Sequence, residues 1–121
     1  MNEKIYHKEL AGGRWKKLSL VEQMGNIGSE VGRAINYFKQ GDNNSFTISF
    51  EKALELFDLT LDDDRWKGRR KEIARGREVF CSLLFDAELS NELIKELNSL
   101  DEYFLWFGVV ANERRHKARL L

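Results

Sequence analysis

Hydrophobic positions in this chain recur at helical spacing over most of its length. Leu20, Met24, Ile27, Val31, Ile35 and Phe38 follow at intervals of four, three, four, four and three, one apolar stripe along a helix. Ser19 precedes the stripe with Glu22 three residues on, the arrangement of a capping box. Gly41, inside QGDNN, suits the C-terminal cap. A second helix is expected from about Ser45 to Leu61. Phe46, Phe50, Leu54, Phe57 and Leu61 mark one face, while Ile48, Leu56 and Leu59 point elsewhere, so burial on more than one side is expected. DDDRW at 62–66 reads as a cap and turn, its acids suited to a helix N-terminus. A third helix then runs from about Arg65 to Phe85, with Trp66, Ile73, Phe80 and Leu84 as its face. After DAELSNE, Leu93, Leu97, Leu100, Phe104, Phe107 and Ala111 form a last stripe. Ser90 offers one cap and Ser99 with Glu102 another, so residues 88–118 form either one long helix or two in tandem.

Proline is absent and β-branched runs are few, which moves the expectation to an all-α fold. Amphipathic segments with short connections define an antiparallel four- (or five-) helix bundle. Residues 1–18, ending in GGRWKKL, read as a loosely held N-terminal arm on which Trp15 and Leu18 pack against the body. Residues 19–121 form a single bundle domain. A chain of 121 residues is long enough to bury one core without crosslinks.

Charge narrows the function classes. Twenty basic residues balance twenty acidic ones, so a nucleic-acid or membrane partner would need a local patch. Cys81 is the single cysteine, which excludes an intrachain disulfide and a cysteine metal cluster and fits a reducing cytoplasm. The start MNEKIYHKEL has no apolar core, so no signal peptide is expected. YFLWFGVVA at 103–111 is far short of the ~20 residues of a membrane span. That segment is apolar almost all round its helix, so it is either central in the bundle or covered by another subunit; a homodimer is the natural outlet.

Gly25, Gly28 and Gly32 lie inside the first helix, on a strip bordering its apolar stripe. Each costs ~1 kcal/mol against alanine. Phosphate cradles place glycines before a helix, where amides are free. Here the amides are already bonded, so the glycines predict a close helix crossing. Beside them run Asn26, Glu30, Arg33 and Tyr37. On the second helix Glu51, Glu55, Asp58 and Asp62 form an acidic strip; on the third, Arg70 and Arg77 share the side of the apolar face. Arginine is rarely buried alone, so both are expected to reach the acidic strip. Asn26, Glu30, Arg33, Glu55, Asp58, Arg70 and Arg77 are therefore the candidate polar seam, to which the family resemblance given below adds Arg75 and Glu78.

Other chemistry has thinner support. Cys81, in VFCSLLF, reads as a small near-core residue, and neither His7 nor His116 lies near it in sequence. Lys67, Lys71 and Arg75 form an exposed i, i+4, i+8 row, and Arg114, Arg115, Lys117 and Arg119 add a basic end. Such rows neutralise phosphates or are simply solvated.

RWKKLSLVEQMGNIGSEVGRA, ALELFDLTLDDDRWKGR and EIARGREVF together resemble a family of small all-helical bacterial and archaeal proteins with no assigned activity. The resemblance spans about Trp15 to Ala111. It implies that Asn26, Ser29, Glu30, Arg33, Asp58, Thr60, Arg75 and Glu78 belong together. ELFD at 55–58 also has the E-x-x-D spacing of the MazG-like all-α nucleoside triphosphate pyrophosphohydrolases, and the first helix is faintly similar to their first acidic helix. That similarity implies Mg²⁺ held by Glu30, Glu55 and Asp58, with Glu22 as a further possible ligand and Arg70 or Arg75 on phosphate. The first helix departs from that pattern, having no E-x-x-E and Asn26 one turn after Glu22. The expected function is thus a small cytoplasmic interaction or regulatory module, more a binding protein than an enzyme. A Mg²⁺-dependent pyrophosphohydrolase and an RNA- or DNA-associated accessory protein are the alternatives.

Overall fold

The computed structural model describes residues 5–85 and 87–120. Among these, four α-helices carry the fold: α1 Leu20–Gln40, α2 Asn43–Leu61, α3 Arg70–Leu84 and α4 Asn91–Leu120. No strand occurs among the described residues. The helices run up and down in sequence order, each antiparallel to the next, and α4 closes the ring against α1. Phe38 stacks near Phe46 across the α1–α2 turn, with ring centroids 5.7 Å apart. Phe50 of α2 lies 4.9 Å from Phe80 of α3. Gly25, Gly28 and Gly32 of α1 meet Gly108, Phe104 and Asp101 of α4 in reverse order.

Local signals fix the helix ends. The capping box of Ser19 and Glu22 forms in both directions. Gly41 ends α1 at φ 75°, the left-handed region that glycine enters without a Cβ penalty. α2 begins two residues earlier than its apolar pattern suggests, because Asp42 accepts from the Ser45 amide and caps it. Ser90 accepts from the Leu93 amide, and α4 continues unbroken for 30 residues. The second capping box does not form: the Ser99 hydroxyl donates to the Lys95 carbonyl inside a continuous helix. One long helix is therefore the answer for residues 91–120.

Two expectations need correction. The third helix does not start at Arg65. Asp64–Arg69 is a 3₁₀ segment with a kink at Trp66, and regular helix begins at Arg70. The buried line of α2 also differs from its line of bulky residues. Ser49, Ala53, Leu56, Phe57 and Thr60 are the buried positions, whereas Phe46, Phe50, Leu54 and Leu61 are partly covered and Ile48 is exposed. Small side chains at Ser49 and Ala53 occupy the deep side, and the larger rings pack along its edges.

The core joins Ile27, Val31 and Ile35 of α1 to Leu56 and Phe57 of α2, Ile73 and Phe80 of α3, and Leu97, Leu100 and Phe104 of α4. Phe104 sits at its centre, edge-on to Phe57 with centroids 5.8 Å apart. The glycines of α1 make room for it. A Cβ on Gly28 would stand 2.7 Å from the Phe104 Cβ, and one on Gly25 would stand 3.3 Å from the Gly108 Cα. The close crossing read from the sequence is present, and it is α4 that crosses.

The arm is held more firmly than a loose segment. Leu10–Arg14 makes a π-helical turn and Trp15–Lys17 a 3₁₀ turn, and Trp15 is 1 % exposed. Residues 1–4 of the arm lie outside the described residues.

Candidate functional site

Two polar clusters and one apolar surface are the candidates. The first cluster surrounds Trp15. Its indole nitrogen donates to the Thr60 hydroxyl at 2.9 Å, and that hydroxyl donates on to the Leu56 carbonyl. Gln23 donates to the Trp15 carbonyl and to Asp63, and accepts from the Trp66 indole at 2.9 Å. Arg65 closes the cluster. It pairs with Asp63 at 2.7 Å, donates to the Leu18 carbonyl, and lies over the Trp66 ring. The Arg65 guanidinium, helped by the Gln23 amide and the Arg65 backbone amide, holds the Asp63 carboxyl down at about 2 against the opposing pull of burial. Gln23 and Thr60 are fully buried and Asp63 nearly so. Their polar atoms have partners, so the cluster fixes the arm and the 3₁₀ segment onto one end of the bundle.

Gln23, Asp63 and Arg65 were missed as site residues in the sequence. One signal was available: Gln23 interrupts an otherwise apolar helix flank. Nothing distinguishes Asp63 from Asp62 and Asp64 in sequence; only the fold buries the middle acid of the three.

The second cluster is the expected polar seam, and its centre is a residue of the arm. The Glu55 carboxylate accepts from the backbone amides of Tyr6 at 2.9 Å and His7 at 2.7 Å, and from the His7 ring at 3.0 Å. A carboxylate only accepts, so Nδ1 of His7 carries the proton in that bond. The other ring nitrogen stands 3.9 Å from Glu30, which also receives Arg33 at 3.0 Å. His7 is thus bound to Glu55 of α2 and lies beside Glu30 of α1. The Tyr6 hydroxyl donates to Glu51, and that bond, more than the nearby negative charge, raises the Tyr6 pKa.

The remaining seam residues separate. Arg77 pairs with Asp58 at 3.1 Å, as expected, but at a surface where Asp58 is exposed. Arg70 does not reach the acidic strip of α2. It donates to the Leu61 carbonyl at 3.0 Å, capping that helix, and to Asp64. The reason is the kinked 3₁₀ segment, which sets Arg70 at the first turn of α3 beside the end of α2. Asn26 donates to the Glu22 carbonyl on its own helix, and Ser29 to Gly25. Arg75 and Glu78 are exposed on α3. The residues grouped by the family resemblance thus lie on several surfaces.

Among the described residues, no group of three or more His, Cys, Asp or Glu side chains is placed to hold a metal ion. Glu30 and Glu55 face His7, while Asp58 turns to Arg77. The basic row is also broken: Lys67 sits in the 3₁₀ segment, and only Lys71 and Arg75 share α3. Arg75 instead lines a groove between α3 and α4 with Gly76, Val79, Leu100 and Tyr103. Cys81 is half-buried, and burial pushes its thiol above the ordinary value, away from the reactive thiolate.

The apolar surface is the outer side of α4. Leu105 and Trp106 are each 64 % exposed, and Val109 is exposed beside them. YFLWFGVVA is therefore not central in the bundle: Phe104 points in and Leu105 and Trp106 point out. No helix among the described residues is long and apolar enough to cross a membrane. Comparison with protein-family models, curated proteins and solved structures finds no match.

Proposed function

We propose that the protein is a small cytoplasmic interaction module whose contact surface is the outer face of α4. The observation that carries this reading is the pair Leu105 and Trp106, each 64 % exposed next to exposed Val109 on one helix face; Phe85, just past α3, is a further strongly exposed ring but lies outside any helix. Burying an aromatic or leucine side chain is worth ~1.5–3 kcal/mol, and tryptophan is the residue most often found at the energetic centre of an interface. The polar seam supports the same reading indirectly. Glu30, Glu55 and Asp58 are each engaged by His7, Arg33 or Arg77 within the chain. A free half-buried Cys81 agrees with a reducing compartment.

The test is site-specific photocrosslinking in cells that make the protein. A photoreactive phenylalanine derivative at position 106 is expected to give one discrete protein adduct, and the same group at exposed Lys71 none. Absence of any adduct from position 106 would refute the reading.

A further inference from the structure

We propose that the end of the bundle where α1 and α3 begin is a phosphate-binding surface for a nucleic-acid duplex, held through its backbone and not through its bases.

Contacts within the chain gather several elements at that end. Arg65 of the 3₁₀ segment donates to the Leu18 carbonyl at 2.8 Å, which sets that segment beside the start of α1. Arg70 donates to the Leu61 carbonyl, which joins the start of α3 to the end of α2. Gly25 lies against Gly108, and Glu22 reaches Arg115 at 3.9 Å, so the last turns of α4 run beside the first turns of α1.

Three of these elements bring cations that the chain leaves unpaired. Lys16 and Lys17 come from the arm turn. Lys67 comes from the 3₁₀ segment and Lys71 from the first turn of α3. Arg114, Lys117 and Arg119 come from the end of α4. All are exposed, and none forms an ion pair among the described residues. The acids at the same end are mostly engaged: Asp63 by Arg65, Asp64 by Arg70 and Glu72 by Arg69. The even balance of charge over the whole chain therefore conceals a local excess of cations. The opposite end is the acidic one, where Glu88, Glu92 and Glu96 are exposed around the start of α4 with Lys95 the one cation among them.

Helix electrostatics accounts for only part of this pattern. A helix C-terminus favours positive charge, which suits Lys117 and Arg119. A helix N-terminus disfavours it, yet Lys16 and Lys17 stand just ahead of α1 and Lys71 in the first turn of α3. These lysines oppose the folded chain slightly and suit an external polyanion.

The side chains around them favour a duplex over other anionic partners. A lipid surface is held by basic residues interleaved with large apolar ones. Residues 14–17 and 64–71 expose no large apolar side chain, and among the described residues those exposed on α4 stop at Val109, before Arg114. A single strand is held by exposed rings on which its bases stack. Here Trp15 is buried and Trp66 lies under Arg65. A duplex backbone needs only spaced cations.

Fluorescence anisotropy of the purified full chain with short labelled duplexes of mixed sequence, one DNA and one RNA, tests the proposal. At least one duplex is expected to bind, with affinity falling ~100-fold between about 50 mM and about 200 mM salt, as for about four neutralised phosphates. Three paired reversals carry the assignment: Lys16→Glu with Lys17→Glu, Lys67→Glu with Lys71→Glu, and Arg114→Glu with Lys117→Glu. Each should weaken binding by ~10-fold or more with helix content unchanged. Lys39→Glu with Lys95→Glu, at the opposite end, should change it by less than ~2-fold. A chain that binds neither duplex at the lower salt overturns the proposal, as does binding indifferent to salt or to the three reversals, or weakened equally by the control pair. Binding to phosphatidylserine vesicles or to single strands in place of either duplex would overturn it too.

Discussion

The inner and outer faces of α4 follow opposite rules. On the inner face, Phe104 is pressed so closely to Gly28 that a single added carbon would stand 2.7 Å from its Cβ. On the outer face, one residue further on, Leu105 and Trp106 are each 64 % exposed. Tight packing stabilises the monomer, and glycines inside α1 are tolerated because they let α4 approach. Bare tryptophan does nothing for the monomer. The proposed contact surface is what gives its exposure a purpose. The same contrast separates the Trp15 cluster, whose polar atoms have partners, from the basic end of α4, which among the described residues has one long ion pair to another helix.

The contrast breaks first at its inner side. Phe104→Ala removes the central ring and is expected to cost about 3–5 kcal/mol in urea unfolding. A cost under about 1 kcal/mol would mean the core does not centre there. Next comes acid. Asp63 titrates at about 2 in the folded protein against 3.8 for a free carboxyl. A depressed folded pKa means its contribution is full above the unfolded value and is lost as pH falls towards the folded one. Stability should therefore drop by about 2 kcal/mol more in wild type than in Asp63→Asn between neutral pH and about pH 2. Equal slopes for the two proteins would remove Asp63 from the account.

Two glycine substitutions sharpen the comparison further. Gly28→Ala gains ~1 kcal/mol of helix propensity but must displace Phe104, and overpacking costs ~1–3 kcal/mol. A net loss of stability is expected. Gly108→Ala adds a Cβ with nothing within 4 Å of it, so it should stabilise the monomer by up to ~1 kcal/mol. The reverse order of these two variants would contradict the crossing geometry. The smallest effect belongs outside: Trp106→Glu should leave monomer stability within about 0.5 kcal/mol, since an exposed position away from any cap or pair has little to lose.

Periodicity made the four-helix plan legible because each helix buries one face and the faces repeat every three or four residues. The glycine crossing was legible too, as a strip of three glycines beside an apolar stripe. What crossed it was not, since a small-residue strip does not name its partner. The seam was half legible. Asp58 with Arg77 followed from complementary strips on neighbouring helices. Glu55 with His7 did not, because the contact joins residues 48 positions apart through an arm with no periodicity of its own. Arg70 was misplaced for a local reason: the kink at Trp66 shifts the start of α3, and a shift of one turn sends a side chain to a different neighbour.

The central claim is that the outer face of α4 is covered when the protein is at work. Photocrosslinking from position 106 in cells that make the protein tests it most directly. A covered face predicts one discrete protein adduct from position 106 and none from exposed Lys71. Absence of any adduct from position 106 would contradict it.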